Sequence, residues 1–374
     1  MLKLPGNLGA EQFLERHWQK QPLLMPQAAA PLKPSVSRNE LAWLATLDDV
    51  ESRIVFTDRT GNGVRYRAET GPFDAAFLAG LPARDWTLLV HDVEKHLPAL
   101  RRIFRLVPFI PDWRVDDLMV SFAVPGGGVG PHRDHYDVFL CQGIGIREWR
   151  ITSEAVDQNP GASNELSLTR EFRGELRHAC RNGDVLYLPP GVAHWGTAQR
   201  ACLTYSIGMR APQYSDLVGE TASAGRSNPF YSDPDLAADE SRPGYISGAA
   251  VDRALRTLDL PNSCRAQVSE ALGRFATQTK PWITPDTPCN DEQARITAAL
   301  ARGRTLRIHG MSRIAWNDTT VFVNGTSMPL IDHASRFLID TCARRRLRLP
   351  AGAPGGWLEI AGWMAARGAF EYVK

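Results

Sequence analysis

The chain has 374 residues, 43% of them hydrophobic and 22% charged, with a formal net charge of +2. That is the balance of a folded protein with a sizeable core, spread over two or three domains. It excludes a disordered chain, a membrane span of about 20 apolar residues and a strong overall field for nucleic acid. The opening MLKLPGNLGAEQFLERHW has no apolar signal-peptide core, so a cytoplasmic protein with no membrane partner is expected. Cys141, Cys180, Cys202, Cys264, Cys289 and Cys342 form no CxxC pair and are expected to be reduced thiols.

In chain order, EQFLERHWQ reads as a helix, and Ser37-Arg38-Asn39-Glu40 before LAWLATL is a capping box that opens another. From Asp117 the texture changes to short strand-like runs separated by Gly and Pro: LMVSFAV, DVFLCQ, IREWRI, DVLYLP and ACLTYSIGM. Runs at such spacing predict a closed β-barrel or sandwich. After Arg210 the strand signal stops, and residues 213–246 are a polar connector rich in Gly, Ser, Pro and Asp. Helical patterns follow in VDRALRTLDL and CRAQVSEALGRFATQ. Their apolar faces have no obvious partner in a barrel, which predicts a homodimer through residues 247–280. In the remainder, Asn324-Gly325 between apolar strands signals a hairpin, flanked by the helical runs HASRFLIDTCARRR and WLEIAGWMAARG. This order resembles a winged-helix unit. The densest basic run, Arg344-Arg345-Arg346 with Arg348, reads as a solvated helix face, and direct nucleic-acid binding is not expected.

The chemistry concentrates in GGGVGPHRDHYDVFLCQGIGIREWRI and, about forty residues later, GDVLYLPPGVAHWG. In a strand, residues i and i+2 share a face, so His132 and Asp134 can present an imidazole and a carboxylate to one point. With His194 they make two histidines and one carboxylate, the facial triad of non-heme iron(II) oxygenases. The overlapping pair His135 and Asp137 points to the opposite face, and periodicity alone does not choose between them. Neighbours favour the first register, which brings Tyr136, Val138 and Leu140 to the ligand face. The rival brings Arg133, an unattractive neighbour for a cation. On the next run Arg147, Trp149 and Ile151 share a face, where a guanidinium would offer a planar fork to a carboxylate; a surface ion pair is the plainer alternative. Gly126, Gly127, Gly128 and Gly130 lack the ending of a phosphate loop and read as a flexible entry to the metal strand. The other histidines, His91 among them, have no partner at ligand spacing.

The run PGGGVGPHRDHYDVFLCQGIGIREWRI, with LYLPPGVAHWG, YSIGMRAP and the N-terminal EQFLERHWQKQPLLM, resembles the bacterial JmjC-type ribosomal oxygenases. The resemblance implies an α+β chain: a double-stranded β-helix of the JmjC or cupin-like kind over 1–212, a connector and helical dimerisation region over 213–289, and a winged-helix-like domain over 290–374. It implies Fe(II) at His132, Asp134 and His194, 2-oxoglutarate anchored by Arg147, and dioxygen as oxidant. The substrate implied is an arginine of a large-subunit ribosomal protein, held by Asp117 and Tyr136 and less surely by Ser206. Ile146 and Glu148 depart from the more basic surroundings expected of Arg147, which puts fine substrate choice in question.

Two other classes are compatible with parts of the sequence. A cupin-like binding protein or isomerase could use the same ligands for zinc or manganese without oxygen. The C-terminal region could instead bind nucleic acid through a helix with a basic backing, with the barrel as sensor.

Overall fold

The computed structural model describes residues 1–29, 32, 35–60, 63–152, 172, 174–219, 227–331, 333–350 and 352–371. The chain divides into two compact units, Met1–Val107 with Val115–Met209, and Pro108–Arg114 with Arg210–Lys374. Among the described residues no helix is long and apolar enough to cross a membrane.

The first unit is built on β1 (Leu23–Met25), β2 (Ser52–Thr60), β3 (Gly63–Thr70), β4 (Trp86–Val90), β5 (Val115–Ala123), β6 (Val138–Gln142), β7 (Ile146–Thr152), β8 (Leu176–Arg181), β9 (Val185–Leu188), β10 (Ala193–Ala198) and β11 (Cys202–Met209). An eight-stranded sheet runs β1-β9-β6-β11-β5-β4-β2-β3, and a three-stranded sheet runs β10-β7-β8. From β5 onward the chain passes back and forth between them. Val138, Leu140, Leu186 and Leu188 of the large sheet share one apolar core with Trp149, Ile151 and Cys180 of the small one. On the other side of β6 and β9, Phe13 and Trp18 of the N-terminal segment pack on Tyr187 at ring distances of 5.0 and 5.9 Å. The expected capping box is present: the Glu40 amide donates to Ser37 Oγ and the Ser37 amide to Glu40 Oε2, opening the helix Arg38–Leu44. All six cysteines are free thiols.

Three expectations change here. His132 and Asp134 do not lie in a strand, because β6 begins only at Val138 and His132 contributes an isolated bridge to His194. Between His132 and Val138 the Asp134 carbonyl accepts from the Gly191 amide of a turn and not from a neighbouring strand, so this segment runs as a loop. Secondly, the glycine run is tightly packed rather than flexible: a Cβ on Gly127 would lie 2.1 Å from the Trp86 carbonyl oxygen, and one on Gly128 2.4 Å from that of Gly196. Glycine is needed where these backbones pass.

The third concerns the second unit. The helices Gly248–Thr257 and Arg265–Thr277 are not left with bare apolar faces. Val251, Ala254, Leu255, Val268, Leu272 and Ala276 form a core with Tyr214 and Leu217 of the helix Tyr214–Val218. Arg114, fully buried, donates to both carboxylate oxygens of Asp233 at 3.0 and 3.1 Å. A separate core gathers the helices Asn290–Ala301, Ser335–Arg344 and Gly355–Ala365. With them lie β12 (Leu306–Ile308), β13 (Ile314–Trp316), β14 (Thr320–Val323), β15 (Thr326–Pro329), β16 (Arg346–Leu347) and β17 (Phe370–Glu371). The β14–β15 hairpin turns at Asn324 and Gly325 with φ of 49° and 78°, the left-handed pair that Asn-Gly favours. The basic run is not one helix face: its helix ends at Arg344, and Arg346 already belongs to β16.

Candidate metal and co-substrate site

His194 is the second residue of β10, and its backbone exchanges two hydrogen bonds with that of His132, at 3.0 and 2.9 Å. The rings lie 4.2 Å apart between centroids. Nδ1 of His132 is 2.9 Å from the Gly130 carbonyl and Nδ1 of His194 is 3.0 Å from that of Val192. A carbonyl only accepts, so both Nδ1 atoms carry the proton and both Nε2 lone pairs are free for a cation. These Nε2 atoms face Asp134, at 3.9 and 3.6 Å from its two oxygens. The amide of Gly191, in the Pro-Pro-Gly turn, donates to the Asp134 carbonyl at 2.8 Å and holds that loop in place. The three side chains form a group whose ligand atoms lie within 4.8 Å of one another. Burial, assisted by His132, lowers the His194 pKa to about 4, so this imidazole is neutral and ready to ligate at physiological pH.

The rival pair is divided between other duties. Asp137 is fully buried and accepts from the Tyr187 hydroxyl at 2.6 Å and from Gln19 Nε2 at 2.8 Å. It ties the N-terminal segment to the barrel. His135 is exposed. Neither joins the group around His194.

Along β7 burial alternates as the period-two reading predicts, with Arg147, Trp149 and Ile151 buried and Ile146, Glu148 and Arg150 less so. Ile151 is registered opposite His194 and Arg147 opposite Ala198, so about 13 Å of strand separate the two positions. Trp149 stands between, its ring 5.8 Å from that of His194 and 5.6 Å from the Arg147 guanidinium carbon. Arg147 is 5% exposed, yet its Nε and one Nη find no hydrogen-bond partner among the described residues. A buried cation in that condition is costly unless something anionic arrives. The alternatives are occupied elsewhere: Arg150 pairs with Glu148 at 3.2 Å, and Arg210 donates to the carbonyls of Phe275 and Gln278. Glu148 also accepts from Gln199 at 3.0 Å, so this departure in sequence is spent on other partners than Arg147.

Asp117 on β5 and Ser206 on β11 are 6% and 4% exposed, while Tyr136 is 41% exposed. Asp117 and Tyr136 converge on Gly208, where an added Cβ would lie 3.1 Å from Asp117 Oδ1 and 4.0 Å from the Tyr136 ring. A side chain there would push the Asp117 carboxylate aside by a few tenths of an ångström. Ser206 is registered between Met119 and Leu140 on the neighbouring strands. The negative charges of Asp134 and Asp117 push the Tyr136 phenol well above its usual pKa, so it remains a hydroxyl.

Sequence reasoning passed over His91. Its Nδ1 lies 3.0 Å from Asp117 Oδ2, and the Asp92 amide donates to the same oxygen at 3.3 Å. One oxygen of Asp117 is thereby held while the other lies beside Gly208. No local spacing signals a partner 26 residues away. Behind it Glu94, 1% exposed, accepts from the Leu118 amide at 3.0 Å. Burial raises its pKa from 4.5 to about 7 against the pull of Arg101 and Lys95. The folded protein therefore keeps a proton that the unfolded chain releases near 4.5, and stability falls as pH rises between those values. The size is about 3 kcal/mol. Denaturation midpoints between pH 4.5 and 7.5 are expected to show this slope in the wild type and to lose it in Glu94→Gln. Parallel profiles would mean that Glu94 is ionised throughout.

The JmjC domain family matches residues 102–217, the stretch that holds the triad and Arg147. The ribosomal protein uL16 3-hydroxylase of Escherichia coli K12 is 34% identical over 364 residues, covering 94% of this chain and 93% of that one. A probable ribosomal oxygenase of Haemophilus influenzae is 34% identical over 236 residues, covering 62% and 56%. Among solved structures, the E. coli ribosomal oxygenase YcfD in complex with cobalt and 2-oxoglutarate matches over 99% of both chains, with TM-score 0.70 and 29% identity. Its complex with cobalt and succinic acid gives the same figures. With likeness running the length of the chain and the metal-ligand geometry intact, the chain belongs to the bacterial JmjC ribosomal oxygenase family.

Proposed function

We infer that this chain is an Fe(II)- and 2-oxoglutarate-dependent dioxygenase that hydroxylates an arginine of a large-subunit ribosomal protein, releasing succinate and carbon dioxide. The observation that carries this reading is Arg147, a buried guanidinium with unpartnered nitrogens in a row with Trp149 and His194. The donor set fits the metal: two neutral imidazoles and one carboxylate suit iron(II) and leave positions open. When bound, the iron supplies a centre where dioxygen and 2-oxoglutarate react so that an unactivated carbon can be hydroxylated. The relative's substrate, uL16, supports a ribosomal protein as target.

The protein's own part is to bind and orient. His132, Asp134 and His194 hold the metal. Arg147 takes the distal carboxylate of 2-oxoglutarate in a two-point ion pair, and Trp149 keeps water from that contact. Asp117 Oδ1, steadied through Oδ2 by His91, receives the cationic end of the substrate beside Tyr136, with Ser206 on the same strand as Gly208. The wider reading is a cytoplasmic homodimer, with residues 1–212 catalytic, 213–289 a connector and dimerisation region, and 290–374 winged-helix-like. Two separate cores within the second unit support that last division. The exposed Trp282, just after the helix Arg265–Thr277, supports self-association there.

The test is iron-dependent formation of succinate from 2-oxoglutarate, with intact-mass measurement of large-subunit ribosomal proteins before and after reaction. One protein is expected to gain a single oxygen atom. Asp117→Asn and Tyr136→Phe should spoil that gain while sparing most uncoupled 2-oxoglutarate turnover, because they touch substrate and not cofactor. Metal binding without succinate formation would reject the oxygenase reading. Equal loss of both activities in the variants would move Asp117 and Tyr136 to the metal site.

A further inference from the structure

Residues 290–374 carry 12 Lys and Arg against 7 Asp and Glu, an excess of +5 in a chain whose total is +2. Folding sorts these arginines. Arg344 stays beside Asp340 on its helix, at 3.7 Å. Arg345 adopts φ 49° and turns inward, donating to the carbonyls of His309 and Ser312. Five more, Arg302, Arg304, Arg307, Arg346 and Arg348, gather about the small sheet β16-β12-β17. Arg346 on β16 is registered directly opposite Arg307 on β12. Arg348 Nε donates to the Gly303 carbonyl at 3.2 Å, which brings it onto the turn between Arg302 and Arg304. All five of these arginines are exposed, and among the described residues none has a carboxylate ion pair. Glu371 on β17 is registered directly opposite Arg307 on the same sheet face, but its carboxylate accepts from the Gly310 amide at 3.0 Å and makes no ion pair with Arg307.

Like charges placed directly across a strand pair repel, so this cluster does not assist folding. It suits a partner with closely spaced negative charges. Guanidinium groups match phosphate oxygens two at a time. A lipid surface would be met by apolar side chains among the charges, and no large exposed hydrophobic residue lies in 300–309 or 345–350. We propose that Arg302, Arg304, Arg307, Arg346 and Arg348 form a docking face for the phosphate backbone of RNA. This is a strand-face contact, unlike groove reading by a helix, and it requires neither the metal nor the hydroxylase reading. Were that reading also to hold, RNA next to a ribosomal protein substrate would be held by the same chain.

The test is fluorescence anisotropy of the full-length protein with a labelled RNA hairpin between 50 and 200 mM KCl. Five phosphate contacts predict that log K falls with log salt at a slope of about −4. The variant R307S/R346S/R348S is expected to bind at least tenfold more weakly at 50 mM, with its slope reduced by about 2. A matched change of three exposed arginines elsewhere, R65S/R177S/R200S, should bind as the wild type does. Uncoupled 2-oxoglutarate turnover should be the same in all three proteins. If the triple variant does not fold, Arg346→Ser alone should still lower the slope by about 0.7–0.9. Absence of RNA binding in the wild type, or equal weakening in the control, would overturn the proposal. So would binding to phosphatidylserine vesicles without binding to RNA.

Discussion

Replacing His132, Asp134 or His194 by Ala is expected to abolish iron-dependent succinate formation and to leave the barrel folded. The bridge between His132 and His194 is made by backbone groups, so removing either imidazole leaves its two hydrogen bonds in place. The stability cost is that of one truncated side chain, about 1–3 kcal/mol, and largest at His194, which is 2% exposed. Function depends on the group as a whole, since each substitution removes one of three donors, and among the described residues no other carboxylate or imidazole belongs to the group. Asp134→Ala should lose iron most completely because it deletes the only anionic ligand. Activity assays beside thermal unfolding of the purified variants decide the matter. Full turnover in any of the three would reject the metal assignment.

Arg147→Ala should raise the 2-oxoglutarate requirement by roughly two to four powers of ten, the equivalent of the about 3–5 kcal/mol lost when a buried ion pair loses one partner. Iron affinity should scarcely change, because Trp149 and the strand register separate Arg147 from the ligands. Lys keeps the charge without the planar fork, so an intermediate defect is expected. Two titrations on the Ala variant distinguish the outcomes: 2-oxoglutarate at saturating iron, and iron without co-substrate. The folded Ala variant should also be no less stable than the wild type, since a buried cation without a partner is removed along with the anchor. An unchanged 2-oxoglutarate affinity would make Arg147 a structural charge only.

The His91 contact bears on both the substrate and the way the site is built. Its imidazole and the Asp92 amide converge on one oxygen of Asp117, so the orientation of that carboxylate is fixed before anything binds. A residue that prepares another in this way leaves no trace in local spacing.

The local chemistry of the chain was legible from residues alone. Ser37 and Glu40 cap their helix because the hydroxyl and carboxylate each meet a free amide within one turn. Asn324-Gly325 turns its hairpin because both residues tolerate positive φ. The inward row of Arg147, Trp149 and Ile151 follows from the two-residue period of a strand. What periodicity could not supply was anything set by contacts far apart in sequence. Asp134 faces His132 and His194 from a loop held by the Gly191 amide, not from a strand face. Asp137 is set apart from the ligands by Tyr187 and Gln19. The apolar faces of the two helices between 248 and 277 found their cover in Tyr214 and Leu217. The run Arg344–Arg348 was divided by a helix end, one inward-turned guanidinium and a strand pairing with Arg307. Residue types and short spacings determine which groups are available and which turns and caps they make; which groups meet is decided by hydrogen bonds and packing between distant segments, which exist only once the chain has folded.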